Sequence, residues 1–350
     1  ALCDVTLPAW MRAVIVPAGQ PRTKPRAMNY ALNFARGSII GVYDAEDAPE
    51  PDQIHKVAKR FAEMPPDVVC LQGQLDYYNP THNWLSRCFT LEYATWFRLI
   101  LPGIQRLGLF VPLGGTTLFF RRDALEDIGA WDAHNVTEDA DLGLRLVRHG
   151  YRTEIVETTT FEEANAAVLP WIKQRSRWLK GYAMTWATHM RDPLALWRDL
   201  GPKRFLGFQA QLLGAVLGFA VAPLLWSLTV KIFGVAHPLD RFVSPAGYLV
   251  LALFFLFSQA LTFLAAWRAS RLARHRKLRW WIPLLDLYFL LASAAALLGL
   301  VELMHRPFHW RKTAHGGFSQ GRATHLPAFE PAAQVAAASS FSRTSNAVDR

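Results

Sequence analysis

Asp44 and Glu46 stand two residues apart, with Asp47 beside them, directly after the mostly apolar run 38–43 of SIIGVYDAED. A strand that ends in carboxylates offers hard oxygen atoms to one divalent cation, Mg2+ or Mn2+, with a diphosphate supplying further ligands. The same acids could instead cap the helix that opens near Pro51, or solvate a loop. A second acidic pair, Glu138 and Asp139 of TEDADLG, begins a helical pattern. At that end the helix dipole favours ionised carboxylates, which suits either a general base for an acceptor hydroxyl or a purely structural helix start. A third set, Gln174, Arg177 and Trp178 of QRSRW, combines an amide, a guanidinium and an indole. On one turn of helix these groups could hold a diphosphate and stack on a sugar ring, or anchor the helix at a membrane interface.

The elements that must position these groups follow a β-α-β-α-β rhythm. It runs through a strand over 12–17, a helix in KPRAMNYALNFARG, a strand over 39–43, a helix from Pro51 and a strand in DVVCLQG. Pro25 is tolerated in the first turn of the first helix and Gly37 reads as its stop. This order predicts a parallel sheet with ligands at the carboxyl ends of its strands, where the acids of YDAED lie. NWLSRCFTLEYATWFRLILPGIQRLG reads as a helix that packs on the sheet or lies against a membrane. VPLGGTTLFFRRDAL supplies a Gly-rich turn, a short strand and a helix start, and the helix of TEDADLGLRLVRHG has Thr137 as its cap and Gly150 as its stop.

The apolar residues are unevenly spread over the 350 and crowd into 205–304. Much of the excess behind the net charge of +10 flanks apolar segments, as in WRASRLARHRKLRWW. Basic residues placed so are juxtamembrane and give no basis for a nucleic-acid binder. Cys3, Cys70 and Cys88 have no metal-site spacing and form no even disulfide framework, which fits a reducing compartment. No signal peptide is visible. FLGFQAQLLGAVLGFAVAPLLWSLTV and GYLVLALFFLFSQALTFLAAW are each long enough to span about 30 Å of hydrocarbon. The third apolar segment carries Pro283, Asp286 and Glu302, so it is expected to lie at the cytoplasmic interface or to dip in and return. That arrangement gives two spans, a basic cytoplasmic loop over 268–279 and a cytoplasmic C-terminus. A third full span is the other count.

Taken in order, KPRAMN, DAED, GGTT, TED and QRSRW, followed by apolar spans, resemble the membrane-embedded family 2 glycosyltransferases, akin to cellulose, chitin and hyaluronan synthases. The resemblance implies an α/β fold of the GT-A type, Rossmann-like, followed by interfacial and transmembrane helices. It also implies an inverting transfer from a nucleotide-sugar donor, a UDP-sugar, to a growing β-linked polysaccharide at the cytoplasmic membrane. The alternatives are a glycan added once to a lipid acceptor, and a noncatalytic membrane component that keeps the fold. By resemblance, Asp44 and Glu46 hold the metal and diphosphate, with Glu standing where the family has Asp. Lys24 and Asn29 contact the donor, Asp139 is the general base, and Glu138 sits with the acceptor. Gln174, Arg177 and Trp178 hold donor diphosphate and acceptor sugar, and Trp310, Lys312 and Thr313 of PFHWRKTAHGG match a gating loop. The expected partners are the donor, a glycan or lipid acceptor and membrane lipids, with no co-polymerase or export partner identified. The expected divisions are a partial catalytic domain over 1–168, interfacial helices over 169–204, membrane helices over 205–304, a gating segment over 305–320 and a disordered tail over 321–350. The chain opens without Met in what reads as the middle of an α/β unit, so the sequence predicts an N-terminal truncation that leaves the nucleotide side of the site incomplete.

Overall fold

The computed structural model describes residues 7–273 and 275–306. Cys3, the tail and the proposed gating residues Trp310, Lys312 and Thr313 lie outside the described residues. The sheet has five strands: β1 (Ile39–Val42), β2 (Ala48–Pro49), β3 (Val68–Tyr77), β4 (Leu118–Arg121) and β5 (Arg152–Glu162). Their spatial order is β1-β4-β3-β5-β2. β3 is buried at every one of its positions, as a central strand covered on both faces must be.

The sheet is mixed, which corrects the expectation of a parallel one. β4 pairs antiparallel with both β1 and β3, β3 pairs parallel with β5, and β2 pairs antiparallel with β5. The three longer-range strands β1, β3 and β5 therefore share a direction, and the acids still fall at the carboxyl end of β1. β4 enters reversed because the GGTT turn feeds it back between β1 and β3. Within that turn Thr117 takes φ +56°, a strained backbone for a β-branched residue. The opposite strand accommodates it through Gly73, where a Cβ would sit 2.3 Å from Thr117 Cγ2.

Residues 12–17 form no strand, a second correction. Among the described residues this stretch pairs with no other strand, and Ile15 is 88% exposed. Without a neighbour to take its backbone groups an extended run stays irregular. Helix α1 (Lys24–Leu32) carries Pro25 in its first turn as expected but ends before Gly37. Asn33 Nδ2 closes it by donating to the carbonyls of Asn29 and Tyr30, each at 3.2 Å. α2 (Gln53–Glu63) follows the acids, and its Val57 and Phe61 are buried under the sheet.

The long aromatic segment forms α3 (Trp84–Thr95), a π-helical turn and α4 (Leu101–Arg106). Asn83 and Ser86 cap its start reciprocally, each bond 3.0 Å long. α3 packs on β3, as the first reading of this segment expects, and also on a long apolar helix further along the chain. After α5 (Arg122–Asp127) comes α6 (Glu138–Arg148), which begins at the TED acids and is followed by Gly150 at φ +81°. Thr137 does not cap α6 with its side chain. Its hydroxyl turns to Asn135 Oδ1, at 3.5 Å, and packs under α7 (Val168–His189), which crosses so close that a Cβ on Gly181 would lie 2.3 Å from Thr137 Oγ1.

The remaining helices are α8 (Pro193–Phe208), kinked at Gly201, then α9 (Gly214–Ser227), α10 (Pro245–Leu272) and α11 (Leu285–His305). Three helical stretches, Pro193–Lys231, Pro245–Leu272 and Arg276–His305, are long and apolar enough to cross a membrane, with mean hydropathy of 1.9, 2.2 and 2.1. They differ in cover: the apolar windows of the first two are 6% buried within the protein, whereas that of the third is 39% buried. α11 lies along α7, at a closeness that only Gly299 permits, since a Cβ there would be 2.7 Å from the Ser176 carbonyl. Its Glu302 stands 3.7 Å from the buried ammonium of Lys180.

Candidate active site

Lys24, at the start of α1, reaches across the sheet end to donate to Asp44 Oδ1 and to the Gly115 carbonyl, the latter at 2.8 Å. On the far side of the same Gly-Gly turn lies Asp139, whose Oδ2 would be 3.5 Å from a Cβ on Gly115. The first acidic motif, the Gly-rich turn and the second acidic motif thus meet around one ammonium group. Burial pulls the Lys24 ammonium down, but Asp44, with Glu138 and Asp139 behind it, outweighs burial and holds it above its ordinary value.

Glu138 and Asp139 both titrate high. Burial pushes Glu138 up to about 7, aided by the charge of Asp139 and opposed by Lys24 and Arg177. Asp139 is raised by burial against the Ala140 amide, 2.8 Å from its Oδ1, and against the same two cations. Arg177 feels Glu138, Asp139 and Asp44 together, which offset part of the burial that lowers it. Lys24, Asp44, Glu138, Asp139 and Arg177 therefore form one electrostatic unit drawn from four separated parts of the chain.

Asp47, beside the predicted pair, is held more firmly than either. Its Oδ2 accepts from the Asp44 amide at 2.7 Å and from the Thr116 hydroxyl. Its Oδ1 is buried and accepts no hydrogen bond. Burial raises its carboxyl to about 6, with Asp44 and Glu46 adding to the rise. Across the β2–β5 ladder, where Ala48 faces Phe161, the next step brings Glu162 to the same acids. Burial raises Glu162 well above the usual carboxylate range, and Asp47, Asp44 and Glu46 raise it further.

Such a donor set fits a hard divalent cation, because one buried carboxylate oxygen lacks a partner and the neighbouring acids repel one another. Among the described residues no three acidic, imidazole or thiol groups are placed so that they could hold a metal ion together. Phosphate oxygens would have to complete the ligand sphere. Glu162 was missed from sequence because it lies more than a hundred residues from Asp44 in an ordinary strand, and only the register brings them together.

The other predicted residues divide. Asn29 turns both ends of its amide to the backbone of Trp131, donating at 2.7 Å and accepting at 3.1 Å. It ties α1 to the loop that leads into α6. Gln174 Oε1 accepts from Asn165 Nδ2 at 2.9 Å. Trp178 has one ring face covered by the guanidinium of Arg175, 4.7 Å from its centroid. Arg175 itself is bound to Glu92 at 2.5 Å and stacks on Trp171 and Phe89 as well. Glu92 did not stand out in the sequence. The two arginines of QRSRW are two positions apart and so face different ways on the helix, one towards the acids and one towards the aromatic cluster.

Comparisons with known proteins bear on this arrangement. The chain is 30% identical over 234 residues to a beta-monoglucosyldiacylglycerol synthase of Synechocystis, covering 64% of this chain and 46% of that protein. It is 25% identical over 184 residues to a probable glucomannan 4-beta-mannosyltransferase of Arabidopsis thaliana, covering 50% of this chain and 33% of the relative. The chain thus spans less than half the length of either. The mannosyltransferase PcManGT from Pyrobaculum calidifontis, solved with GDP-Man and Mn2+, superposes with a TM-score of 0.50 at 18% identity, over 81% of this chain and 69% of that one. That likeness is one of fold, and the fold is of the GT-A type. The model of the glycosyl transferase family group 2 matches residues 39–310, from the first residue of β1 to beyond the end of α11, and the chain belongs to that family.

Proposed function

We propose that this protein is an inverting glycosyltransferase that moves a sugar from a nucleoside-diphosphate sugar, a UDP-sugar, to a growing β-linked polysaccharide at the cytoplasmic membrane. The observation that carries the reading is the meeting of Lys24, Asp44, Asp139 and Arg177 around the Gly115 turn. Asp139 takes the proton of the acceptor hydroxyl as its oxygen forms a bond to the anomeric carbon. The bond from that carbon to the diphosphate breaks, and Arg177 and Lys24 meet the negative charge that leaves. A divalent cation held by Asp44 and Glu46, next to the free oxygen of Asp47, would supply further positive charge to the diphosphate. One displacement turns an α-linked donor into a β-linked product. Trp178, with one face already covered by Arg175, offers its remaining surface to the acceptor, beside Glu138. Asn29 acts by positioning α1, and Gln174 by bracing the start of α7 against Asn165.

In this reading residues up to 168 are the catalytic domain, 169–204 lie at the interface and 205–304 form the membrane part. The catalytic domain is cytoplasmic. Labelled UDP-sugars supplied to membranes carrying the full protein test the reading by the size of the product. Long polymer is expected, a single sugar on lipid would replace the acceptor, and no product would remove the reading altogether.

Two expectations arise directly. Asp44→Ala and Glu46→Ala should each weaken donor binding in the presence of Mg2+ or Mn2+, and a chelator should do the same to the unaltered protein. Titration calorimetry with UDP-sugar decides it, since equal affinity with and without cation would end the metal assignment. The second concerns pH. A base whose carboxyl is raised by burial works only once deprotonated, so kcat/KM should climb as pH rises above the ordinary carboxylate range and level off once Asp139 is ionised. A profile flat from pH 5 to 8 would place the base elsewhere.

A further inference from the structure

A cavity of about 470 Å3 lies between α9, α10 and α11, lined by residues that include Gly218, Trp226, Phe255, Gln259, Asp286 and Phe289. Gly218 faces open space, since a Cβ there would meet no atom within 4 Å. Across the cavity Gln259 Nε2 donates to Asp286 Oδ1. The hydroxyls of Ser258 and Thr262 are turned back onto carbonyls of their own helix, at 2.8 Å and 3.0 Å. So little polar lining cannot solvate a glycan. The lining is mostly apolar and open to the side, so an acyl chain can enter it from between the helices.

Its depth can be read along α10. Ala269 is buried with Ala94 of α3, on the side of the catalytic domain. Gln259 precedes it by ten positions, roughly 15 Å of helix, which puts the cavity among lipid chains if α10 spans the bilayer. Among the described residues no Lys, Arg or His lines it. A phosphate there would stand beside the Asp286 carboxyl without a compensating cation.

We propose that this cavity binds one acyl chain of an uncharged lipid from the bilayer, with a free hydroxyl of that lipid donating to Asp286. The site is separate from the transfer chemistry, and the proposal does not depend on which acceptor the enzyme uses. It is nonetheless adjacent to it: Tyr288, two residues beyond Asp286, accepts from Trp171 Nε1 at 3.1 Å and donates to Glu92, the carboxylate that holds Arg175 against Trp178. The test uses the full chain in phosphatidylcholine nanodiscs and a diacylglycerol carrying a photoactivatable diazirine on one acyl chain. Adducts should map to peptides around Trp226 and Phe255. Unlabelled dioleoylglycerol should compete about tenfold better than dioleoyl phosphatidic acid, the scale set by one hydrogen bond to a charged group. Gly218→Leu should remove the adducts without lowering the unfolding temperature, because its side chain enters open space, whereas Val221→Leu on the exposed face of α9 should keep them. Asp286→Asn, which still gives Gln259 a partner, should abolish the preference for the uncharged lipid. Adducts that persist in Gly218→Leu, or that phosphatidic acid displaces as well as dioleoylglycerol does, would overturn the site. Absence of sugar transfer by the unaltered protein with labelling intact would instead count against the transferase reading.

Discussion

Asp139→Asn should lower kcat by about 10²- to 10⁴-fold, the range that a positioned general base contributes, while leaving donor affinity nearly unchanged. Asparagine keeps the shape of the side chain and can still accept the 2.8 Å bond from the Ala140 amide, so α6 should start as before. What it loses is basicity. It also removes one of the charges facing Lys24 and Arg177, which would then be freer to meet the donor diphosphate, so binding of the nucleotide sugar should hold or tighten. Glu138→Gln makes the comparison informative. Glu138 is 5% exposed and contributes to the field around Asp139, so its loss should shift the acid limb of the pH profile downward and cost less in rate. Single-turnover rates and donor titrations on both variants separate the two roles. An Asp139→Asn protein with near wild-type turnover would take Asp139 out of the mechanism.

How far this site was legible from sequence depended on what each residue needs from its neighbours. The acids after β1 could be found because they mark the end of an apolar run, and the acids of α6 because they open a helical pattern, and the helices following both have strong periodicity. The direction of β4 could not. Four residues, LFFR, read the same in either orientation, and the reversal is made by a turn in which Thr117 takes a conformation that its own residue type disfavours. Glu162 was hidden for a related reason: nothing in its strand announces that the register will set it against Asp47. Asn29 is the opposite case. Its place near the donor motif is visible in the sequence, but its amide lies locked on Trp131, and that pairing exists only once the chain has brought positions 29 and 131 together. The arginines of QRSRW add a last distinction, because spacing tells that Arg175 and Arg177 point apart without telling which one meets the acids.

Arg175→Met should be the most damaging change outside the catalytic unit, lowering stability by about 3–5 kcal/mol, the usual cost of breaking a buried ion pair from one side. The guanidinium is 11% exposed and its partner Glu92 is 17% exposed. Burial alone would pull its pKa down, but Glu92 and Tyr288 hold it above the ordinary value, a sign that the charge is compensated where it sits. Three ring centroids, those of Phe89, Trp171 and Trp178, lie within 5.7 Å of it. Methionine can fill much of the volume between the rings. It cannot answer Glu92, which would keep the Tyr288 hydroxyl but lose its cation. Adding Glu92→Gln should therefore recover most of the lost stability, because the double variant buries no lone charge. Catalysis should follow a different course in the two proteins. Trp178 loses the cation that covers its face in both, so the acceptor KM should rise in both, while donor affinity, which the proposed mechanism gives to Arg177 and Lys24, should stay close to normal. Thermal unfolding and separate acceptor and donor titrations measure these effects. Equal instability of the single and double variants would mean that packing against the rings, and not the charge pair, is what Arg175 contributes.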